Sequence, residues 1–262
     1  MIDFVRKKSY GLKDLEDIVA ILRAPGGCPW DGEQTHESIR RDLLEESCEV
    51  IEAIDEKNTD HLKEELGDLL LQVFMHSEME KEQGRFTVDD VADGICKKLI
   101  YRHPHVFGTV DVSGTDEVLV NWEELKRQEK GQETYTATLN AVAKSLPALW
   151  RAEKVQKKAK KAGFDWPDAA GAMDKLSEEL GELQQAVAEG SNIEEELGDL
   201  LFAAVNVSRF VHVDPEMALT GATEKFISRF SRVEELARAQ GRDMKDMSLE
   251  ELDKLWETAK QT

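Results

Sequence analysis

Apolar positions along this chain recur with the 3.6-residue period of α-helices. Leu43, Val50 and Ile54 fall on one side of a predicted helix, with Ser47 among them. Leu66, Leu69, Leu70 and Val73 form a second stripe, and Leu200, Leu201, Ala204, Val205 and Ser208 a third. Stripes of this width predict helices that bury one face and solvate the other. Only Val106-Phe107 and Val110-Asp111-Val112 hint at extended chain. Pro25-Gly26-Gly27, Pro104, Gly131 and Pro167 supply the breaks between helices. The pattern predicts an all-α protein.

The stripes also repeat. Glu64-Glu65-Leu66-Gly67-Asp68-Leu69-Leu70 returns as Glu195-Glu196-Leu197-Gly198-Asp199-Leu200-Leu201. Glu45-Glu46-Ser47-Cys48-Glu49 precedes the first copy, and Glu178-Glu179-Leu180-Gly181-Glu182 the second. Lys98-Leu99-Ile100-Tyr101-Arg102 is answered by Lys225-Phe226-Ile227-Ser228-Arg229. Trp122-Glu123-Glu124-Leu125-Lys126 is answered by Trp256-Glu257-Thr258-Ala259-Lys260, and Trp30-Asp31 by Asp165-Trp166. Elements recurring in one order indicate a tandem duplication. The expected organisation is a helical domain over 1–130, a polar linker over 131–145, and a second helical domain over 146–262.

Composition narrows the function. The formal net charge is −20. Non-specific nucleic-acid binding needs a basic surface, so no nucleic-acid partner is expected. No run approaches the roughly 18 apolar residues of a membrane span. The segment from Met1 to Lys8 lacks a secretory signal, and Cys28, Cys48 and Cys96 are scattered without a CxxC pair. These features suit reduced thiols and a cytoplasmic location. So acidic a chain would bind a phosphorylated ligand only with cations to bridge the two.

Residues three apart share a helix face. Glu46 therefore stands with Glu49, Glu65 with Asp68, Glu179 with Glu182, and Glu196 with Asp199. One Glu-x-x-Glu pair on a highly charged chain is ordinary solvated surface. Two pairs in each of two copies, beside the same Leu-Leu, point to a site. Antiparallel packing of the helices would bring each set of four together across a groove. Four like charges there need neutralisation, and all-oxygen ligands select hard ions such as Mg²⁺, with Mn²⁺ as a substitute. A glycine inside a helix costs about 1 kcal/mol against alanine. The repeated Gly67 and Gly198 thus suggest a close backbone contact or a local need for space.

Lys98 and Arg102, like Lys225 and Arg229, are four apart on one helix face and suit phosphate oxygens. Trp122 and Trp256 read first as packing anchors, with a base-covering role as the alternative. Glu33-Gln34-Thr35-His36 is a single ExxH and cannot make a paired di-iron motif. His103-Pro104-His105 reads as a helix stop. No P-loop, Rossmann loop or GxSxG motif occurs.

Taken together, these motifs resemble the MazG family of nucleoside triphosphate pyrophosphohydrolases. Gly27-Cys28-Pro29-Trp30-Asp31, Arg102-His103-Pro104-His105-Val106-Phe107, Gly163-Phe164-Asp165-Trp166 and Glu224-Lys225-Phe226 add to the carboxylate pattern and extend the likeness over almost the whole chain. The resemblance implies a bundle of the four-helix type in each repeat, completed by homodimerisation. It also implies Mg²⁺-dependent cleavage of a nucleoside triphosphate between the α and β phosphates. Glu46, Glu49, Glu65 and Asp68, and Glu179, Glu182, Glu196 and Asp199, would then hold metal, with Lys98, Arg102, Lys225 and Arg229 on phosphate. Glu46 and Glu179 are the candidates for general base.

The copies differ. Lys175 lies four before Glu179, where the first copy has Asp42 before Glu46; Asn206 lies seven after Asp199, where the first copy has Met75. The second copy therefore offers an extra cation for phosphate and an amide for base or ribose. Nucleotide contacts are expected there from Lys175, Glu178, Asn206, Lys225, Arg229 and Trp256, and the C-terminal copy is expected to be the stronger catalyst. Two other readings are a related all-α hydrolase specific for one nucleotide, and an acidic helical binding module without activity.

Overall fold

A computed structural model of the chain describes residues 4–129, 131 and 134–260, without the side chains at positions 116, 119, 123 and 127. The start of the N-terminal segment read for a secretory signal, at Met1-Ile2-Asp3, and positions 132 and 133 of the expected linker lie outside the described residues. The chain forms two compact units, residues 1–126 and 127–262.

In the first unit α1 (Leu12–Arg23), α2 (Pro29–Glu33), α3 (Arg40–Asp55), α4 (Thr59–Glu82), α5 (Val88–Arg102) and α6 (Pro104–Phe107) follow in order, and α7 (Thr115–Glu129) begins there. The second holds α8 (Tyr135–Asn140), α9 (Ala148–Lys161), α10 (Ala169–Glu189), α11 (Ile193–Phe210), α12 (Pro215–Ala239), a 3₁₀ turn (Met244–Asp246) and α13 (Leu249–Ala259). No strand occurs among the described residues. The extended-chain hint at Val106-Phe107 is corrected: Pro104 occupies the first turn of α6, where its missing N–H costs nothing. Residues 110–112 are irregular. Part of the expected linker, Tyr135–Asn140, is helical and packs on α9.

Each unit is organised around a helical hairpin. Residues 56–58 join α3 to α4, with Lys57 at φ +55° and the Asn58 side chain accepting from the His61 N–H at 3.2 Å. Residues 190–192 join α10 to α11, where Gly190 takes φ +69° and Asn192 φ +55°. Left-handed residues reverse the chain within three positions, so the paired helices run antiparallel.

In the first unit α4 packs on α1 and α3 around Val19, Ile39, Phe74, Met75 and Met79, with Leu15, Leu70, Leu71 and Val88 against them. In the second, Val233 and Ala237 of α12 meet Leu255 and Ala259 of α13. The apolar stripes are only partly buried within the chain: Val205 is buried, whereas Ile54, Leu66, Leu201 and Ala204 are exposed. Phe226, Ile227 and Phe230 of α12 are exposed as well.

Candidate active site

The two hairpins hold the predicted carboxylates. In the second unit, oxygens of Glu179 on α10 and of Glu196 and Asp199 on α11 all lie within 4.8 Å of one another. Glu179 is buried, Glu196 half-buried and Asp199 exposed. In the first unit Glu46 and Glu49 on α3 and the buried Glu65 on α4 converge within the same distance. Three of each set of four thus meet. The fourth flanks each group: Asp68 adds its charge to Glu46, and Glu182 shares a hydrogen bond with Glu179.

Crowding leaves an electrostatic trace. Burial, then the charges of Asp68, Glu49 and Glu65, push the Glu46 carboxyl up. Burial followed by Glu49 does the same to Glu65. Glu182 is raised by its hydrogen bond to Glu179 and then by burial. Each carboxylate resists ionisation because its neighbours carry the same charge in partly dry surroundings. An all-oxygen cluster of this kind suits a hard divalent cation.

A basic side chain leans on each cluster. Lys175 Nζ lies 2.7 Å from Glu179 and 2.8 Å from Glu178, and both carboxylates hold the ammonium more firmly protonated than usual. In the first unit His61, on the other leg of the hairpin, contacts the cluster, with Nε2 3.1 Å from Glu65 and Nδ1 3.1 Å from Glu56. Sequence reading found the lysine but passed over His61, although it precedes Glu65 by one helical turn.

The predicted phosphate ligands lie on α5 and α12, outside the two carboxylate hairpins. Lys98 and Lys225 are exposed, and among the described residues no hydrogen bond or ion pair joins Lys98, Lys225 or Arg229 to either cluster. Arg102 is buried, with its guanidinium 5.5 Å from the centre of the Trp122 ring. Lys126 Nζ lies 4.7 Å from the same ring. Trp256 packs against Phe226, ring centres 5.1 Å apart, and against the α12–α13 core. Trp256 is thus packed on an apolar core, whereas Trp122 is flanked by two cations.

The glycines depart from expectation. Among the described residues, nothing beyond the helix's own backbone lies within 4 Å of where a Cβ would stand at Gly67 or Gly198. No close contact among the described residues requires them.

Asn206 and its counterpart Met75 have different surroundings. Met75 is buried in the first core. Asn206 Oδ1 accepts from Arg209 Nη2 at 2.7 Å, and Arg209 forms a two-pronged ion pair with Asp165 at 2.5 and 3.3 Å. Burial alone would raise the Asp165 carboxyl, yet the Arg209 hydrogen bond and charge, aided by the Trp166 N–H and Lys160, hold it below the usual range. The Gly163–Trp166 motif thereby folds back onto α11. Sequence reading noted that motif without finding its partner, forty-four residues away.

His36 and His76, which sequence reading left without a role, stack with ring centres 5.0 Å apart. Their Nδ1 atoms are 2.7 Å apart, and His36 Nε2 is 2.6 Å from Glu80. His103 caps α5, as the helix-stop reading has it.

Comparison with known proteins agrees with this geometry. The family model described as the MazG nucleotide pyrophosphohydrolase domain matches twice, at residues 34–107 and 169–234, and each match spans one carboxylate hairpin. The chain is 48% identical over 248 residues to the nucleoside triphosphate pyrophosphohydrolase/pyrophosphatase MazG of Thermotoga maritima, covering 95% of each chain. It is 43% identical over 248 residues to the nucleoside triphosphate pyrophosphohydrolase of Escherichia coli K12, covering 93% of this chain and 94% of that one. With two copies of the domain on two carboxylate hairpins, and relatives aligned over nearly their full length, the chain belongs to the MazG nucleotide pyrophosphohydrolase family.

Proposed function

We propose that this protein hydrolyses nucleoside triphosphates between the α and β phosphates, releasing a nucleoside monophosphate and pyrophosphate, with Mg²⁺ (or Mn²⁺) as cofactor. The observation that carries the reading is the convergence of Glu179, Glu196 and Asp199 from both legs of one hairpin. A divalent cation bound there would supply positive charge to the phosphates and acidity to a water. Glu179, Glu196 and Asp199 would hold it, with Glu182 close by. In the first unit Glu46, Glu49 and Glu65 would do so, with Asp68 close by.

The chain's own residues do the remainder. Lys175 is placed to leave Glu179 for a phosphate oxygen once the carboxylate charge is met otherwise. Lys225 and Arg229 are unpaired cations among the described residues and are assigned to the outer phosphates. Glu179 is our choice for the proton acceptor, and Glu46 its counterpart. Charge stabilisation and positioning suffice for phosphoryl transfer, so no covalent nucleophile is needed.

The C-terminal copy is assigned the greater activity, because Lys175 and Asn206 are present there and Asp42 and the buried Met75 replace them in the first. We also assign a homodimer: Leu180, Leu197, Leu201, Phe226 and Phe230 are exposed on three helices of the second unit, an apolar surface suited to a second copy. Three unbridged cysteines suit a cytoplasmic location.

A panel of the eight common NTPs and dNTPs with product identification tests the reaction. Monophosphate and pyrophosphate are expected; diphosphate and orthophosphate, or no product with either metal, would refute it. Comparing Glu179→Ala with Glu46→Ala in the full chain tests the ranking of the copies. The larger loss is expected from Glu179→Ala.

A further inference from the structure

A Lys-x-x-x-Arg pair recurs in both units, as Lys98 and Arg102 on α5 and as Lys225 and Arg229 on α12. The two arginines stand in different surroundings. Arg229 is half-buried and has no hydrogen bond or ion pair among the described residues. Arg102 is only 8% exposed, and its guanidinium lies over the Trp122 ring of α7. Lys126, one turn further along α7, lies over the same ring. A cation over an aromatic face is held by the quadrupole of the ring, more firmly when both are out of water. Trp122 thus engages two of the cations that the first unit could offer to an anion.

The counterpart tryptophan behaves otherwise. Trp256 of α13 lies against Phe226, with ring centres 5.1 Å apart. In the first unit the residue at the Phe226 position is Leu99. That one difference accounts for the two arrangements. An aromatic ring three residues before the arginine gives the tryptophan an aromatic partner. A leucine does not, and the indole rests on the guanidinium one turn along instead. α13 is further fixed on α12 by the buried cluster of Val233, Ala237, Leu255 and Ala259. Among the described residues no buried apolar cluster joins α7 to α5. The α7 contact is therefore of a kind that can open without unpacking a core.

We propose that Trp122 is an autoinhibitory latch, which withholds Arg102 from phosphate and keeps the first unit in a low-affinity state until α7 moves aside. The inference rests on the assignment of the Lys-x-x-x-Arg pairs to phosphate. It gives the difference between the copies a cause that lies outside the carboxylates. Leu99 sets the latch, and Phe226 disarms its counterpart.

The test uses the full chain carrying Glu179→Gln and Glu196→Gln, so that only the first unit keeps its carboxylates. Calorimetry in Mg²⁺ titrates it with an ATP analogue bridged by methylene between the α and β phosphates. Trp122→Leu removes the ring, and Leu99→Phe offers the ring another partner. Each is expected to tighten binding by about fivefold or more, the equivalent of one cation–π contact of about 1 kcal/mol. Adding Arg102→Met should cancel the gain. Unchanged or weaker binding in a folded Trp122→Leu protein would overturn the latch, as would a gain that survives Arg102→Met. Should a thermal melt show that Trp122→Leu does not fold, Leu99→Phe is read by the same two criteria. The nucleotide panel keeps the two assignments apart. Monophosphate release by wild-type protein, without any gain on opening, sinks the latch alone. Tighter binding on opening, without hydrolysis of any nucleotide, sinks the reaction and leaves the latch standing.

Discussion

Replacing Glu179 with glutamine should make the metal-free protein more stable and the enzyme inactive. The magnitude follows from the cluster itself. At a separation of 4.8 Å, the outer limit among Glu179, Glu196 and Asp199, two unit charges repel by about 1 kcal/mol in bulk water and about 3.5 kcal/mol at an effective dielectric constant near 20. Neutralising Glu179 removes its repulsion with both partners. It also weakens the contact with Lys175, whose side chain is 38% exposed and whose ion pair is therefore screened. The balance favours the variant by about 1 kcal/mol or more, a rise of roughly 2–4 °C in melting temperature for a domain of this size. Saturating Mg²⁺ should reverse the order. Wild-type protein at a hundredfold excess over Kd gains about 2.7 kcal/mol, whereas Glu179→Gln, lacking a ligand, should gain far less. Thermal melts of both proteins, with EDTA and with Mg²⁺, read the crossing directly. Simple damage to packing would lower both curves. A variant less stable in EDTA, or one that keeps the full Mg²⁺ shift, would refute the reasoning.

Two further expectations concern a helix glycine and an ion pair. Gly198→Ala should raise the melting temperature of the metal-free protein by about 2–4 °C, since alanine is favoured by about 1 kcal/mol within a helix and its Cβ meets nothing within 4 Å; a fall would reveal a contact formed by a second copy. Arg242 Nη1 lies 2.5 Å from Glu251 and, with the Ser248 N–H, holds that carboxyl at about 2. A depressed carboxyl stabilises the fold fully above the ordinary range near pH 4.3, and the contribution disappears as pH falls toward 2. The stability gap between wild-type and Arg242→Met, measured by chemical denaturation, should therefore be widest above pH 5 and close toward pH 2. A gap independent of pH would contradict the linkage.

What could be read from the sequence was largely what is local. Glu46 with Glu49, and Glu196 with Asp199, share helix faces by spacing alone, and a short connection makes the hairpin partner close at hand. The helical content and the duplication were legible for the same reason. How closely the carboxylates of the two legs converge was not legible, because the rotation of each helix against its partner decides it. The stripes predicted burial for Leu66 and Leu201, yet both are exposed within the chain; period reports a shared face and does not say what covers it. Val106-Phe107 looked extended because β-branched and aromatic residues favour strands, but Pro104 starts a helical turn there. The ion pair of Asp165 with Arg209 was invisible for a different reason. It ties the Gly163–Trp166 loop to α11, and no spacing rule links residues that far apart.

In both units the converging carboxylates belong to a single reversal of the chain, residues 46–65 in one and 179–199 in the other. Such a centre is a cassette: little chain has to be threaded to assemble it, so it is poised to form early, as soon as its two legs close. It can also be inherited whole by copying one short stretch of gene, after which each duplicate is free to drift in its surroundings, toward histidine in one and lysine in the other, without disturbing its twin.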